Sequence, residues 1–154
     1  MGRMGNFNAN DLKKFQKELE KLNKNTDAFL QACAKELAAR LLRMVIKRTP
    51  VGEYSKSSGK KGGTLRRGWT GGGSVPAKGY ADSLEVQHIG DAYTVEIKNS
   101  TDYGVFVEYG HRTPDHKGWV PGRFMMTISE RELEKIAPKV LERKLEKFLR
   151  SALH

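Results

Sequence analysis

The first apolar positions of the chain recur at spacings of three and four residues. They are Leu12, Phe15, Leu19 and Leu22. This period places them on one face of an amphipathic helix, which Asn10 or Asp11 can cap at its start. The polar residues at 23–25 predict a weak break, after which Thr26 or Asp27 can cap a second helical segment.

A second and wider apolar stripe predicts the most regular helix of the chain. Its central positions are Phe29, Cys33, Leu37, Leu41, Met44 and Val45, and Leu30, Ala34, Ala38 and Leu42 widen it. Pro50 disfavours the helical conformation for the residue before it, so this helix should end near Thr49. We therefore predict that residues 10–49 are helical.

Residues 50–82 have a different composition. Between positions 51 and 79, Gly, Ser and Lys dominate and apolar side chains are few. Such a stretch cannot bury enough apolar surface to order itself alone. The composition therefore predicts a long basic loop, and loops of this length inside compact domains are usually functional or flexible.

Residues 83–110 alternate between apolar and polar positions, which is typical of strands. The alternating positions are first Leu84, Val86 and His88, and then Tyr93, Val95 and Ile97. A Gly-Asp turn at residues 90–91 separates the two runs, so the pattern predicts an antiparallel hairpin. Residues 103–109 continue the alternation and predict a third strand.

After a second loop at residues 111–122, helical spacing returns over residues 123–152. The apolar side of this helix is formed by Ile128, Leu133, Ile136, Val140, Leu141, Leu145, Phe148 and Leu149. Pro138 lacks a backbone N–H and should kink or break the helix. A basic row, which we interpret as a solvated face beside several glutamates, comprises Arg131, Lys135, Lys139, Arg143 and Lys147.

These elements predict one α+β domain over residues 1–154, with long N- and C-terminal helices packed on a small antiparallel β-sheet. Residues 1–10 lack the apolar core of a signal peptide, and no apolar run reaches the roughly 18 residues of a membrane span. We therefore expect no membrane partner. Cys33, the single cysteine, is interpreted as a small buried hydrophobe.

Positive charge is concentrated in one part of the chain. The net charge is +10, and residues 40–67 contribute +8 of it because Glu53 is their only acid. A cluster of this kind predicts an anionic partner, which is either nucleic acid or an acidic neighbouring subunit. The candidate contact residues within its loop are Lys56, Lys60, Lys61, Arg66 and Arg67.

No arrangement of residues predicts an enzyme. Residues 59–64 look like a phosphate-binding loop, but the required pattern fails at positions 54 and 61. His111, Asp115 and His116 share a loop that supplies no fourth metal ligand, and no pair of acidic residues is singled out for acid–base catalysis. We therefore expect no catalytic, metal-binding or cofactor-binding residues and no cofactor.

Four short motifs occur in order along the chain. They read RTPVG at residues 48–52, GTLRRG at 63–68, YGVFVEYGHR at 103–112 and VPGRFM at 120–125. In this order the chain resembles the phage tail-component family that includes the minor tail protein Z of phage lambda. The resemblance covers residues from about 10 to 150.

The resemblance implies a structural virion protein at the head-proximal end of a phage or prophage-derived tail. Such a protein forms an oligomeric ring, expected to be a hexamer, that completes the tail or joins it to the head. The implied partners are further copies of the chain, neighbouring neck, tail-terminator or tail-tube proteins, and DNA passing through the channel. Assembly takes place in the host bacterial cytoplasm. The candidate subunit-interface residues are Glu108, Tyr109, His111, Arg112, Trp119 and Arg123.

Three alternatives remain open at this point. A tail terminator of the same fold is one of them. A second is a non-specific nucleic-acid-binding module that binds duplex DNA as a monomer, through the clustered Lys and Arg residues. A more remote third is a metal-dependent nuclease that uses His111, Asp115 and His116.

Overall fold

The computed structural model describes residues 9–52, 55–60 and 62–152, without the side chains of residues 9–12, 15, 18 and 56. Several predicted features lie outside this description. They are the caps Asn10 and Asp11, the first apolar positions Leu12 and Phe15, the loop residue Lys61 and the side chain of Lys56.

The N-terminal half of the fold is one helix, α1, which runs over Ala9–Arg48 (40 residues) without interruption. The predicted break at residues 23–25 is therefore wrong. Asn and Lys reduce helix propensity only slightly, and neither Gly nor Pro occurs there. Thr26 does not cap a new helix, because its hydroxyl donates to the carbonyl oxygen of Leu22 at 2.8 Å within α1. The predicted end near Thr49 is confirmed.

The segment after α1 is more ordered than a loop. It contains a short 3-10 helix (Lys56–Ser58), α2 (Thr64–Gly68) and α3 (Ala77–Ser83). Leu65 and Trp69, one helical turn apart, are both buried against α1. Their burial corrects the prediction that residues 50–82 are a plain loop, because two apolar anchors order the segment on another element.

The predicted hairpin is confirmed in shorter form: β1 (Gln87–Ile89) pairs antiparallel with β2 (Ala92–Thr94). The predicted third strand is wrong, because residues 103–109 contain the helix α4 (Gly104–Tyr109). A second antiparallel pair, β3 (Gly110–Arg112) with β4 (Trp119–Pro121), lies mainly within the predicted loop at 111–122. In α4, Gly104 and Glu108 lie one turn apart and are both buried, so the inward spacing is four and not two.

The last helix, α5, spans Met125–Ala152 and contains Pro138 without a break. It packs against α1, where the rings of Phe29 and Phe148 stack with centroids 4.4 Å apart. Long terminal helices with two small antiparallel sheets confirm the α+β class for the described residues. None of the helices in those residues is both long and apolar enough to cross a membrane.

The core lies where α1 meets α2, α3 and the start of α5. Its buried members are Ala38, Ala39, Leu42, Val45, Leu65, Trp69, Ala81 and Met125. Cys33 is also buried, and burial raises the pKa of its thiol. A buried thiol that stays protonated agrees with the interpretation of Cys33 as a packing residue.

A buried hydrogen bond joins Trp69, which follows α2, to Thr49, which follows α1. Trp69 Nε1 donates to Thr49 Oγ1 at 2.7 Å, and that hydroxyl donates to the carbonyl oxygen of Val45 at 2.5 Å. Thr49→Val should lower the free energy of unfolding by about 1–3 kcal/mol, because the buried indole N–H loses its acceptor. Urea unfolding followed by tryptophan fluorescence measures this loss. Thr94→Val, at an exposed position, is the control and should change stability by no more than about 0.5 kcal/mol.

Candidate subunit interface

A cluster of exposed apolar side chains lies on α4, on β4 and on the segments beside them. We call this cluster the aromatic face. Val105, Tyr109 and Trp119 are its most exposed members, at 66%, 60% and 61%. The remaining members are Tyr103, Phe106, Val120 and Phe124. Large aromatic side chains grouped at a surface are typical of sites that bind another protein.

Two glycines allow the backbone to hold this face together. Gly110 has φ +90°, and a Cβ at this position would lie 2.5 Å from the carbonyl oxygen of Val120. A Cβ on Gly122 would lie even closer to the carbonyl oxygen of Glu108. The backbone N–H groups of Arg123 and Phe124 donate to the carbonyl oxygens of Val107 (2.8 Å) and Glu108 (3.0 Å). The end of α4 is thereby fixed to the chain that enters α5.

Glu108 links α4 to the start of α5. The residue is 7% exposed, and its carboxylate accepts from the backbone N–H groups of Met126 and Thr127, each at 2.9 Å. It also accepts from the Thr127 hydroxyl at 2.8 Å. A carboxylate here caps the first turn of α5 and is favoured by the positive end of the helix dipole. The Glu108 oxygens are thus bonded inside the subunit, and contact of this residue with a neighbouring subunit stays a prediction.

The other predicted interface residues lie on or around the aromatic face. Tyr109 and Trp119 belong to it, and the Tyr109 ring meets Phe124 edge to face at 6.3 Å. His111 meets Phe106 in the same way at 6.4 Å, and its buried Nδ1 has no hydrogen-bond partner among the described residues. Arg112 and Arg123 are exposed, and Arg112 lies opposite Trp119 in the β3–β4 register. These five residues lie on or next to α4, β3 and β4, and their contact with a neighbouring subunit stays a prediction.

Two residues of the predicted basic contact site form hydrogen bonds within the subunit. Arg66 Nε donates to the carbonyl oxygen of Thr49 at 2.7 Å, so this cation stabilises the C-terminal end of α1. Arg67 donates to the carbonyl oxygen of Gly62 at 3.2 Å. Arg66 thus holds the end of α1 and Arg67 holds its own segment, while their contact with DNA or a partner ring stays a prediction. Lys60 is exposed, while Lys61 and the side chain of Lys56 are outside the described part.

The loop that contains Asp115 and His116 is held by hydrogen bonds between its own residues. The Asp115 carboxylate accepts from the Thr113 hydroxyl at 2.5 Å and from the Lys117 N–H at 3.1 Å. These bonds favour the ionised form, so they lower the pKa of Asp115. Among the described residues no group of three or more His, Cys, Asp or Glu side chains is placed to hold a metal ion.

An α+β body with an exposed aromatic face is typical of proteins that work by assembling with others. The family model described as "Bacteriophage HK97-gp10, putative tail-component" matches residues 13–110, which is more than half of the chain. The chain therefore belongs to this HK97-gp10-like family, and the resemblance to phage tail components is confirmed. Comparison with curated proteins and with solved structures gives no match.

The contact between Glu108 and α5 can be tested by removing its charge. Glu108→Gln should lower the free energy of unfolding by about 1–3 kcal/mol, because the amide N–H₂ group cannot accept from the first turn of α5. Chemical denaturation monitored by circular dichroism measures the change. Glu130→Gln removes an exposed carboxylate from the same end of α5 and should have a much smaller effect. Equal effects of the two substitutions would mean that the cap contributes nothing specific.

Proposed function

We propose that this chain is a structural virion protein at the head-proximal end of a phage or prophage-derived tail. Copies of the chain form an oligomeric ring that completes the tail or joins it to the head, and the chain performs no catalysis. The aromatic face supports this proposal most directly. Membership in a family of phage tail components gives the biological setting.

The chemistry of the aromatic face suits a contact between subunits. Tyr109 and Trp119 offer large, stiff side chains, which contribute most of the binding energy in many interfaces. The exposed cations Arg112 and Arg123 lie at its edges, where polar groups are usual. A closed ring requires that this patch meet a different patch on the next copy. We infer a hexamer, with neck, tail-terminator or tail-tube proteins above and below it.

A tail terminator of the same fold is the alternative within this class. Both proteins are rings at the upper end of a tail, so the same face would serve either of them. Their positions differ, because a terminator ends the tube itself and a completion protein binds after the tube has formed. Electron microscopy of tails made without this chain separates the two: tubes of uncontrolled length indicate a terminator, and tubes of normal length that fail to join heads indicate a completion protein.

The aromatic face can be tested by the double substitution Tyr109→Ser and Trp119→Ser. Both side chains are mostly exposed, so the isolated subunit should keep its stability. The ring should be lost or weakened at least tenfold, since two aromatic anchors are removed from the contact. Light scattering gives the mass of the purified oligomer, and labelled protein reports its incorporation into tails.

Ile89→Ser is the matched control for this experiment. Ile89 is 66% exposed but lies on β1, outside the aromatic face. This variant should assemble like the unchanged protein. If the double variant also assembles normally and enters tails, the aromatic face is not the subunit contact. If the unchanged protein remains a monomer even with tail proteins present, the ring is excluded.

A further inference from the structure

A groove of about 500 Å³ lies between α1 and α5, away from the aromatic face. Its charged lining is almost entirely basic and comprises Arg40, Lys139, Arg143, Lys144 and Lys147, with Glu36 as the only acid. Glu36 is already paired, because its carboxylate accepts from Arg40 Nε at 3.0 Å. Ile136 and Val140 complete the lining. The net charge of this groove is therefore strongly positive.

The spacing of the cations follows from the helix. Lys139, Arg143 and Lys147 are four residues apart on α5, so each step advances about 6 Å along the helix axis. The sequence pattern alone favours a solvated basic face along α5. In the fold these three residues line the groove beside α1, whereas Arg131 and Lys135 do not.

None of the cations that α5 contributes to the groove forms an ion pair with a described residue, although Glu142 and Glu146 lie beside them in the sequence. For Lys139, Arg143, Lys144 and Lys147, the structure shows neither an ion pair nor a side-chain hydrogen bond to any described residue. The nearest charge pairing on α5 joins Glu132 to Arg48, near the other end of the helix. Like charges held side by side repel, and an anionic ligand would relieve this repulsion.

We propose that this groove binds the phosphate backbone of duplex nucleic acid without reading its sequence. Lysines dominate the lining, and they act on phosphates as mobile point charges. The described lining residues include no aromatic side chain on which bases could stack, and no Asn or Gln to read base edges. The positive charge of the lining attracts a polyanion.

The experiment is a titration of a labelled 20-base-pair duplex DNA of arbitrary sequence with the full chain, followed by fluorescence anisotropy at several salt concentrations. The test variant is Arg143→Ala with Lys147→Ala. The matched control is Arg131→Ala with Lys135→Ala, which removes one Arg and one Lys at the same spacing from exposed positions of the same helix. Both variants thus carry the same net charge.

The unchanged chain should bind the duplex, with affinity that falls steeply as salt rises. In a plot of log affinity against log salt concentration, the test variant should have a slope shallower by about 2, because each lost phosphate contact removes about one unit. The control should keep nearly the full slope. A second test variant, Arg143→Gln with Lys147→Gln, guards against a loss of folding, which circular dichroism would also show.

Three results would overturn the proposal. Equal losses in the test and control variants would mean that net charge alone attracts the DNA. An absence of DNA binding in the unchanged chain at low salt would exclude the nucleic acid. Binding of a poly-glutamate peptide in the same groove, with no binding of DNA, would assign it to an acidic protein segment. None of these results depends on ring formation, so the tail assignment would stand or fall separately.

Discussion

The Glu108 carboxylate at the first turn of α5 is the contact on which both surfaces depend. It ties α4 to the N–H groups of Met126 and Thr127, while the backbone of residues 107–108 accepts from Arg123 and Phe124. These bonds fix where the aromatic face lies relative to α5. They also fix where α5 begins, and hence how it lies along α1 to form the basic groove. A buried carboxylate without these donors would be strongly destabilising. Glu108 therefore needs the N–H groups at the start of α5, and those N–H groups are in turn stabilised by its negative charge.

The long helices could be predicted from the sequence because their apolar period persists over many turns. Short elements could not be predicted in this way. Residues 103–109 are rich in β-branched and aromatic side chains, and about seven residues are too few to distinguish a period of two from a period of 3.6. The order within residues 50–82 was missed for another reason: Leu65 and Trp69 are few in number, but both are buried against α1. Composition alone does not show which distant helix an apolar side chain will pack against.

Contact of the candidate residues with another subunit stays a prediction, but the structure shows what their side chains do within the subunit. The motif at residues 103–112 contains several members of the aromatic face, and its Glu108 caps α5 internally. The basic cluster also contains side chains that are bonded internally. Arg48 bonds Ser129 and Glu132, Arg66 bonds the end of α1, and Arg67 bonds its own segment. The sequence shows only that these residues are charged. The fold shows which of the charged side chains form bonds within the subunit.

The same reasoning explains why the basic groove could not be found in the sequence. Its charges come from α1 and α5, about a hundred positions apart in the chain, and neither helix is strongly basic over its whole length. Along α5, Met125 and Ile136, the first residue of the groove, are separated by about 17 Å, given a rise of 1.5 Å per residue. The aromatic face and the groove are therefore far enough apart to be occupied together. A subunit could contact its neighbour through one surface and hold a polyanion with the other, so that assembly and charge binding need not compete.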